Sequence, residues 1–235
     1  MKRTVGVFWG ALKDFWDELF LLVFMNIVTV LLMIPVVTFP PALAGLWNAA
    51  NLVAKGKAIG WSDYFAAFRR YFWKAWGLAL LNILVGIIVL TNVLFYAPAN
   101  VPFEISPTIS FWIQALFLGV AFVWLIIQLY PMALLLEQED QRLRVALRNA
   151  AVLFVVNLGF TVTLGLLLLV VAAISTAFPP LWLLITLALV AVVCNKAVLH
   201  LLESYRERAR AEAAGEKGSS DAGGTPDQIA SDEGV

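Results

Sequence analysis

The polar and hydrophobic positions of this chain fall into long blocks. No Lys, Arg, Asp or Glu occurs from Leu19 to Ala54, from Ala75 to Phe103, from Ile105 to Leu136 or from Asn149 to Asn195. A bilayer core about 30 Å thick is crossed by about 20 apolar residues of helix. Each block is long enough for one crossing, and some for two. The pattern predicts spans at about 19–39, 75–96, 109–136, 152–177 and 181–199, and a short one at 42–54. The expected fold class is all-α: a polytopic transmembrane helix bundle of about six spans, five strong and one short, with interfacial amphipathic helices.

Prolines punctuate the blocks. Pro35, Pro40 and Pro41 forbid one helix from Leu19 to Ala54, because proline lacks the N–H and clashes with the preceding turn. The chain is expected to break near Thr38–Pro41 and turn back. The returning piece, Ala42–Ala54, covers only about 20 Å as helix, so it either crosses with help from snorkelling Lys55 and Lys57 or forms a re-entrant segment. Gly45 and Ala49 give it a small-xxx-small face for close helix approach, and Asn48 and Asn51 belong against protein or water. Pro35, Thr38, Asn48 and Asn51 are therefore the candidate hairpin or pore-lining residues.

Two segments are amphipathic. In residues 1–18, Phe8, Leu12, Phe15, Trp16 and Leu19 recur at helical spacing, with Lys13, Asp14, Asp17 and Glu18 opposite, which predicts an interfacial helix. From 61 to 76, Trp61, Tyr64, Phe65, Phe68, Tyr71, Phe72, Ala75 and Trp76 fall on one face at 100° per residue. Asp63, Arg70 and Lys74 fall opposite, Arg69 lies on the flank, and Trp73 is the exception. Ser62 reads as the N-cap. Aromatic rings favour the membrane interface, and each nearby cation gains about 1 kcal/mol against anionic lipid. Trp61, Phe65, Phe68, Arg69, Arg70, Phe72 and Lys74 form the candidate surface for lipid or a cytoplasmic partner. Past Leu199 a charged helix is expected to stop at Gly215, and the Gly/Ser/Asp-rich remainder of the 200–235 tail is too poor in apolar residues to order.

Composition sharpens this picture. The 235 residues are 62% hydrophobic and 14% charged, with zero formal net charge, against about 45–50% and 25% in soluble domains. The neutral balance gives no footing for nucleic acid. One cysteine, Cys194, allows no internal disulfide, and one histidine, His200, lacks the companions that common metal sites need. No catalytic, cofactor-binding or metal-ligating set emerges, so a non-enzymatic protein is expected. Lys2, Arg3 and the Ala42–Ala44 stretch resemble parts of a secretory signal, but the apolar stretch starts at Leu19 and exceeds the usual 7–15 residues. Asn26, Asn82, Asn92, Gln114, Gln128 and Asn157 read as interhelical hydrogen-bonders. Lys196 reads as a snorkelling cation.

Charge also orients the chain. Lys55, Lys57, Arg69, Arg70 and Lys74 follow the short segment; Arg142, Arg144 and Arg148 lie in the 137–151 connection; Arg206, Arg208, Arg210 and Lys217 lie in the tail. The turn around Glu104 and the Phe178–Pro180 turn have no Lys or Arg. By the positive-inside bias the basic regions are cytoplasmic. Six crossings then place both termini inside, together with Lys2, Arg3 and Lys13.

The stretch from Ile34 to Lys57, followed by "WSDYFAAFRRYFWKAW", resembles the YesL family of bacterial multi-pass membrane proteins, a domain of unknown function (624). Pro35, Thr38, Gly56, Asp63, Phe65, Phe68, Arg69, Phe72 and Lys74 match its pattern, most strongly over residues 15–80. The resemblance implies a bacterial cytoplasmic-membrane protein linked to carbohydrate uptake, with ABC importer subunits or a second copy as partners. It supplies no catalytic or binding residues. Two functions are expected on this basis: an accessory or scaffold component, or a small independent transporter or channel with a site near the Pro-broken hairpin.

Overall fold

The computed structural model describes residues 2–97 and 106–222, with side chains for 3–97 and 106–214. The turn around Glu104 and the end of the tail lie outside the described residues. Regular structure among the described residues is helical: α1 (Lys2–Asp17), α2 (Leu19–Met33), α3 (Phe39–Ala54), α4 (Trp61–Arg70), α5 (Phe72–Phe95), α6 (Pro107–Ile127), α7 (Pro131–Glu137), α8 (Leu143–Val156), α9 (Leu158–Ala177) and α10 (Leu187–Ala222). Among the described residues five segments are long and apolar enough to cross a membrane: Val36–Ala54, Phe72–Phe95, Pro107–Glu137, Leu158–Ala177 and Trp182–Ala214. The protein is an all-α membrane protein.

The first hairpin departs from expectation. α2 ends at Met33, so its 15 residues cover only about 22 Å, short of the roughly 30 Å of a bilayer core. α1 and α2 meet at 90°. The strong span expected at 19–39 is thus the shorter arm. The segment expected at 42–54 gains Phe39, Pro40 and Pro41 as its first turn and a 3-10 lead-in at Val36–Thr38. The two prolines open α3 because first-turn N–H groups have no intrahelical acceptor to lose. Thr38 closes the turn by donating its hydroxyl to the Pro35 and Leu32 carbonyls.

α3 is the centre of the core. Eleven of its 16 residues are buried, most of them Ala, Gly or Pro, and α2, α4, α5 and α7 pack around it. Gly45 makes this possible: a Cβ there would lie 3.0 Å from the Tyr64 carbonyl oxygen and 3.1 Å from the Tyr64 ring. Tyr64 itself is fully buried. Its hydroxyl pairs with Thr29 Oγ1 at 2.9 Å and donates to the Ala42 carbonyl at 3.2 Å. Burial raises the Tyr64 pKa above its ordinary value, against the smaller opposing effect of the Thr29 hydrogen bond.

Two expected spans are broken. The 109–136 helix breaks at Gln128–Tyr130, and Pro131 opens the buried α7. The 152–177 helix is the second of two: Arg142 caps α8, which carries most of the basic 137–151 connection in its first turns, and Asn157 separates α8 from α9. Before α10 the chain widens into a π-turn at Trp182–Thr186. Asn26 of α2 clips this widened turn from the side. Its Nδ2 donates to the Trp182 and Leu183 carbonyls at 3.0 and 2.6 Å, and its Oδ1 accepts from the Ala188 N–H at 2.8 Å.

α1 presents Thr4, Val7, Ala11 and Phe15 inward, while Trp9 and Trp16 are about 70% exposed. The apolar stripe read off the sequence divides: Phe15 is buried within the protein, while Trp16 lies outward with Trp9. Lys196 has a partner: its Nζ pairs with Asp14 Oδ2 of α1 at 2.5 Å. By contact, the chain divides into Met1–Val198 and Leu199–Val235. In the second unit Ser204 donates to the Leu201 carbonyl and Arg208 lies over the Tyr205 ring. The helix passes through Gly215 to Ala222, since one glycine costs a helix only about 1 kcal/mol.

Candidate functional site

Three features gather polar or open surface: a clamp at the C-terminal end of α3, the outer face of α4, and a cavity beside the Pro-broken turn. The clamp joins α3, α7 and α10. Asn51 Nδ2 donates to Glu137 Oε1 at 2.8 Å and to Asn195 Oδ1 at 3.1 Å. Asn195 Nδ2 donates to the Ala191 carbonyl at 2.8 Å and the Trp47 carbonyl at 3.3 Å. Lys55 Nζ pairs with Glu137 Oε1 at 2.5 Å, and the Glu137 side chain is 12% exposed. Asn51 and Asn195 are buried. A carboxylate in such a place is retained by a cation and an amide donor together. The arrangement fixes three helices at one level. Among the described residues no group of three or more His, Cys, Asp or Glu is placed to hold a metal ion.

α4 differs from the single 61–76 helix read from the sequence. It ends at Arg70, and Tyr71 (φ −98°, ψ 6°) breaks the path into α5. Gly60, not Ser62, is the N-cap, and its N–H donates to Asp63 Oδ2 at 3.0 Å. The inward face is Tyr64, Ala67, Tyr71 and Ala75. Trp61 and Phe65, stacked on each other, are partly exposed at 38% and 42%. Phe68 and Phe72 are half-buried and edge to face, and Arg69 and Arg70 are exposed.

Lys74 is engaged rather than free. Its Nζ donates to Gln141 Oε1 at 2.9 Å and lies over the Tyr71 ring, as Arg70 does. Gln141 Nε2 donates to the Tyr71 hydroxyl at 2.8 Å. Gln141 has φ +46°, a conformation uncommon outside glycine, held here by its two side-chain bonds. Burial raises the Tyr71 pKa, opposed by the Arg70 charge and the Gln141 bond and assisted by Glu137. Trp73, the residue that did not fit the expected face, is 82% exposed. The outer surface of the junction therefore consists of Trp61, Phe65, Arg69, Arg70 and Trp73.

A cavity of about 400 Å³ lies between α3, α5 and the α6–α7 break. Val36, Phe39, Leu43, Trp47, Trp76, Ile83 and Met132 supply most of its wall, and Asn82 and Gln128 its polar side. Trp76 Nε1 donates to the Val37 carbonyl at 3.0 Å. Trp124 Nε1 donates to Asn82 Oδ1 at 2.9 Å, and Asn82 Nδ2 to Gln128 Oε1 at 3.4 Å. Gln128 Nε2 is buried and has no acceptor among the described residues.

The four hairpin candidates are not brought together. Pro35 is exposed and Thr38 closes the turn. Asn48 Nδ2 reaches the Asp63 carbonyl at 3.3 Å, and Asn51 lies in the clamp. None of the four lines the cavity. Glu137, Asn195, Gln141 and Trp73 were missed. For Glu137 a signal existed: it is the first charge after an uncharged block, as Lys55 is after another. Comparison with protein-family models, curated proteins and solved structures found no match.

Proposed function

We propose that this chain is a non-enzymatic accessory or scaffold component of a bacterial cytoplasmic membrane, with both termini cytoplasmic. The observation that carries the reading is the α5–α6 hairpin. Only Ala75 of α5's 24 residues is buried, and only Ser110 and Ile126 of α6's 21. Two apolar helices with so little of their surface used inside the chain are a natural docking arm for other membrane helices. The clamp and the Asp14–Lys196 pair support the same reading, because their charged groups are already matched to one another. Six crossings, reached when the bent α1–α2 pair counts as one, support cytoplasmic termini. The link to carbohydrate uptake, and an ABC importer as partner, rest on the YesL-like residues 35–74.

The test is site-directed photocrosslinking in native membranes from Leu116 on α6 and Trp73 at the α4–α5 junction. A single stoichiometric membrane partner at Leu116 is expected. Adducts to lipid alone would sink the reading. The second reading, an independent carrier, is favoured by the cavity beside the Pro-broken turn. Flux into proteoliposomes holding only this chain would establish it instead.

A further inference from the structure

α8 begins with two cations on the side turned away from its packed face. Ala146, Ala150 and Leu153 are its buried residues, and at 100° per residue Arg144, Arg148 and Val155 fall opposite them. Both arginines are exposed, and Val152, Val155 and Val156 are 54%, 70% and 58% exposed. We infer that this outer stripe is a binding site for an anionic phospholipid, with the phosphodiester held by Arg144 and Arg148 and an acyl chain lying along Val152 and Val155. The site is separate from the α5–α6 docking arm and does not rest on it.

Depth comes first. Gln141, just ahead of α8, accepts from Lys74 Nζ and donates to the Tyr71 hydroxyl, and Leu143 lies 3.1 Å from where a Cβ of Gly77 would be. These contacts set the start of α8 against the first turns of α5, a segment apolar enough to cross a membrane. Trp73 is 82% exposed in the first turn of α5, and tryptophan favours the membrane interface. Arg144 and Arg148 therefore lie at the level of lipid headgroups. Direction comes second. From Arg148 to Val152 is about 6 Å of helix, close to the roughly 5–8 Å of interface on each side of a bilayer core. The chain then continues through Asn157 into α9, another segment able to cross. The stripe passes from cation to aliphatic in the order in which a phospholipid passes from phosphate to acyl chain. Charge comes third. α8 contains no Asp or Glu. Glu139 and Asp140 precede it, and Asp140 pairs with Arg142 at 3.6 Å. Among the described residues neither Arg144 nor Arg148 has an ion pair, and the guanidinium fork takes phosphate oxygens two at a time. A zwitterionic headgroup brings a cation that nothing on α8 neutralises. An acidic segment of a soluble protein matches the arginines but leaves the valines uncovered.

The experiment uses the full chain in nanodiscs of equal parts phosphatidylglycerol and phosphatidylcholine. A diazirine is carried in one acyl chain of each lipid in turn, cross-linked by light and mapped by peptide mass spectrometry. Adducts on residues 149–158 are expected about fivefold more often from phosphatidylglycerol, the worth of about one cation beside anionic lipid. The Arg144→Gln, Arg148→Gln double variant lowers them to the phosphatidylcholine level and leaves the phosphatidylcholine adducts unchanged. Both side chains are exposed, so this variant folds as the native chain does. The Arg69→Gln, Arg70→Gln double variant, equal in charge, leaves the preference on α8 intact. Equal labelling by the two lipids overturns the inference, as does a preference that survives loss of Arg144 and Arg148. An equal loss in the two double variants also overturns it, because general attraction to a basic surface then suffices. A benzophenone amino acid placed at Val155 in native membranes separates lipid from protein. A phospholipid adduct is expected, and capture of a single protein in its place overturns the lipid assignment.

Discussion

The α2–α3–α4 core and the α5–α6 hairpin are both apolar, yet they are built from different residues and used differently. The core packs on Ala42, Gly45, Ala49 and Ala50, with Asn26, Thr29 and Tyr64 making bonds across it. The hairpin carries Ile83, Leu84, Ile87, Leu116 and Phe122, each more than half exposed. Lipid tails are as apolar as leucine, so a large aliphatic side chain gains little by leaving them for protein. Close approach of backbones and interhelical hydrogen bonds do the holding instead. Hydrophobicity therefore separates membrane from water in this chain, while residue size and amide placement separate the helices packed within it from those left open.

The sharpest way to break that contrast is Asn26→Ala against Leu84→Ala. The first removes three hydrogen bonds around the π-turn and is expected to cost about 2–3 kcal/mol. The second removes a side chain that is more than half exposed in the isolated chain and should stay within about 0.5 kcal/mol. Denaturant titration in mixed micelles reads both, and equal losses would end the distinction. Next is Gly45→Ala against Gly119→Ala. A methyl at 45 meets Tyr64 and should cost about 1–3 kcal/mol. A methyl at 119 meets nothing within 4 Å and should be neutral or stabilising by up to about 1 kcal/mol.

Glu137→Gln tests the clamp. It keeps an acceptor for Asn51 and removes the charge beside Lys55, for an expected loss of about 1–2 kcal/mol in the same titration. The smallest effect is alkaline. Tyr64 and Tyr71 both have pKa values raised above 10.0 by burial, so the folded state holds their protons longer than the unfolded state. Their contribution is complete below pH 10 and is lost as pH rises through the raised values. Thermal midpoints should be flat from pH 7 to 9 and fall above 10, less steeply in the Tyr64→Phe, Tyr71→Phe double variant.

Much of this was legible in the sequence. The uncharged blocks locate the five long segments because length and charge act locally. The break at Pro35–Pro41 is forced by proline itself. Other details depend on partners distant in sequence. Tyr71 divides α4 from α5 because Gln141, in a left-handed conformation, reaches back to it, and no wheel drawn on residues 61–76 contains Gln141. Lys196 reads as a lone cation in its segment, and its partner Asp14 is 182 residues away. Asn51 reads as a polar residue set against protein or water, but Glu137 and Asn195 come from other helices.

The clip between Asn26 and the π-turn also has a meaning in time. Asn26 and Trp182 are 156 residues apart, and Asp14 waits for Lys196 across 182. At about 5–20 residues per second, roughly 8–30 s separate the synthesis of Asn26 from that of its acceptors. During that interval the first helices hold an amide and a carboxylate whose permanent partners do not yet exist. The last apolar segment is thus the latch of the whole assembly, and a chain stopped short of it is marked as unfinished by its own unpaired groups.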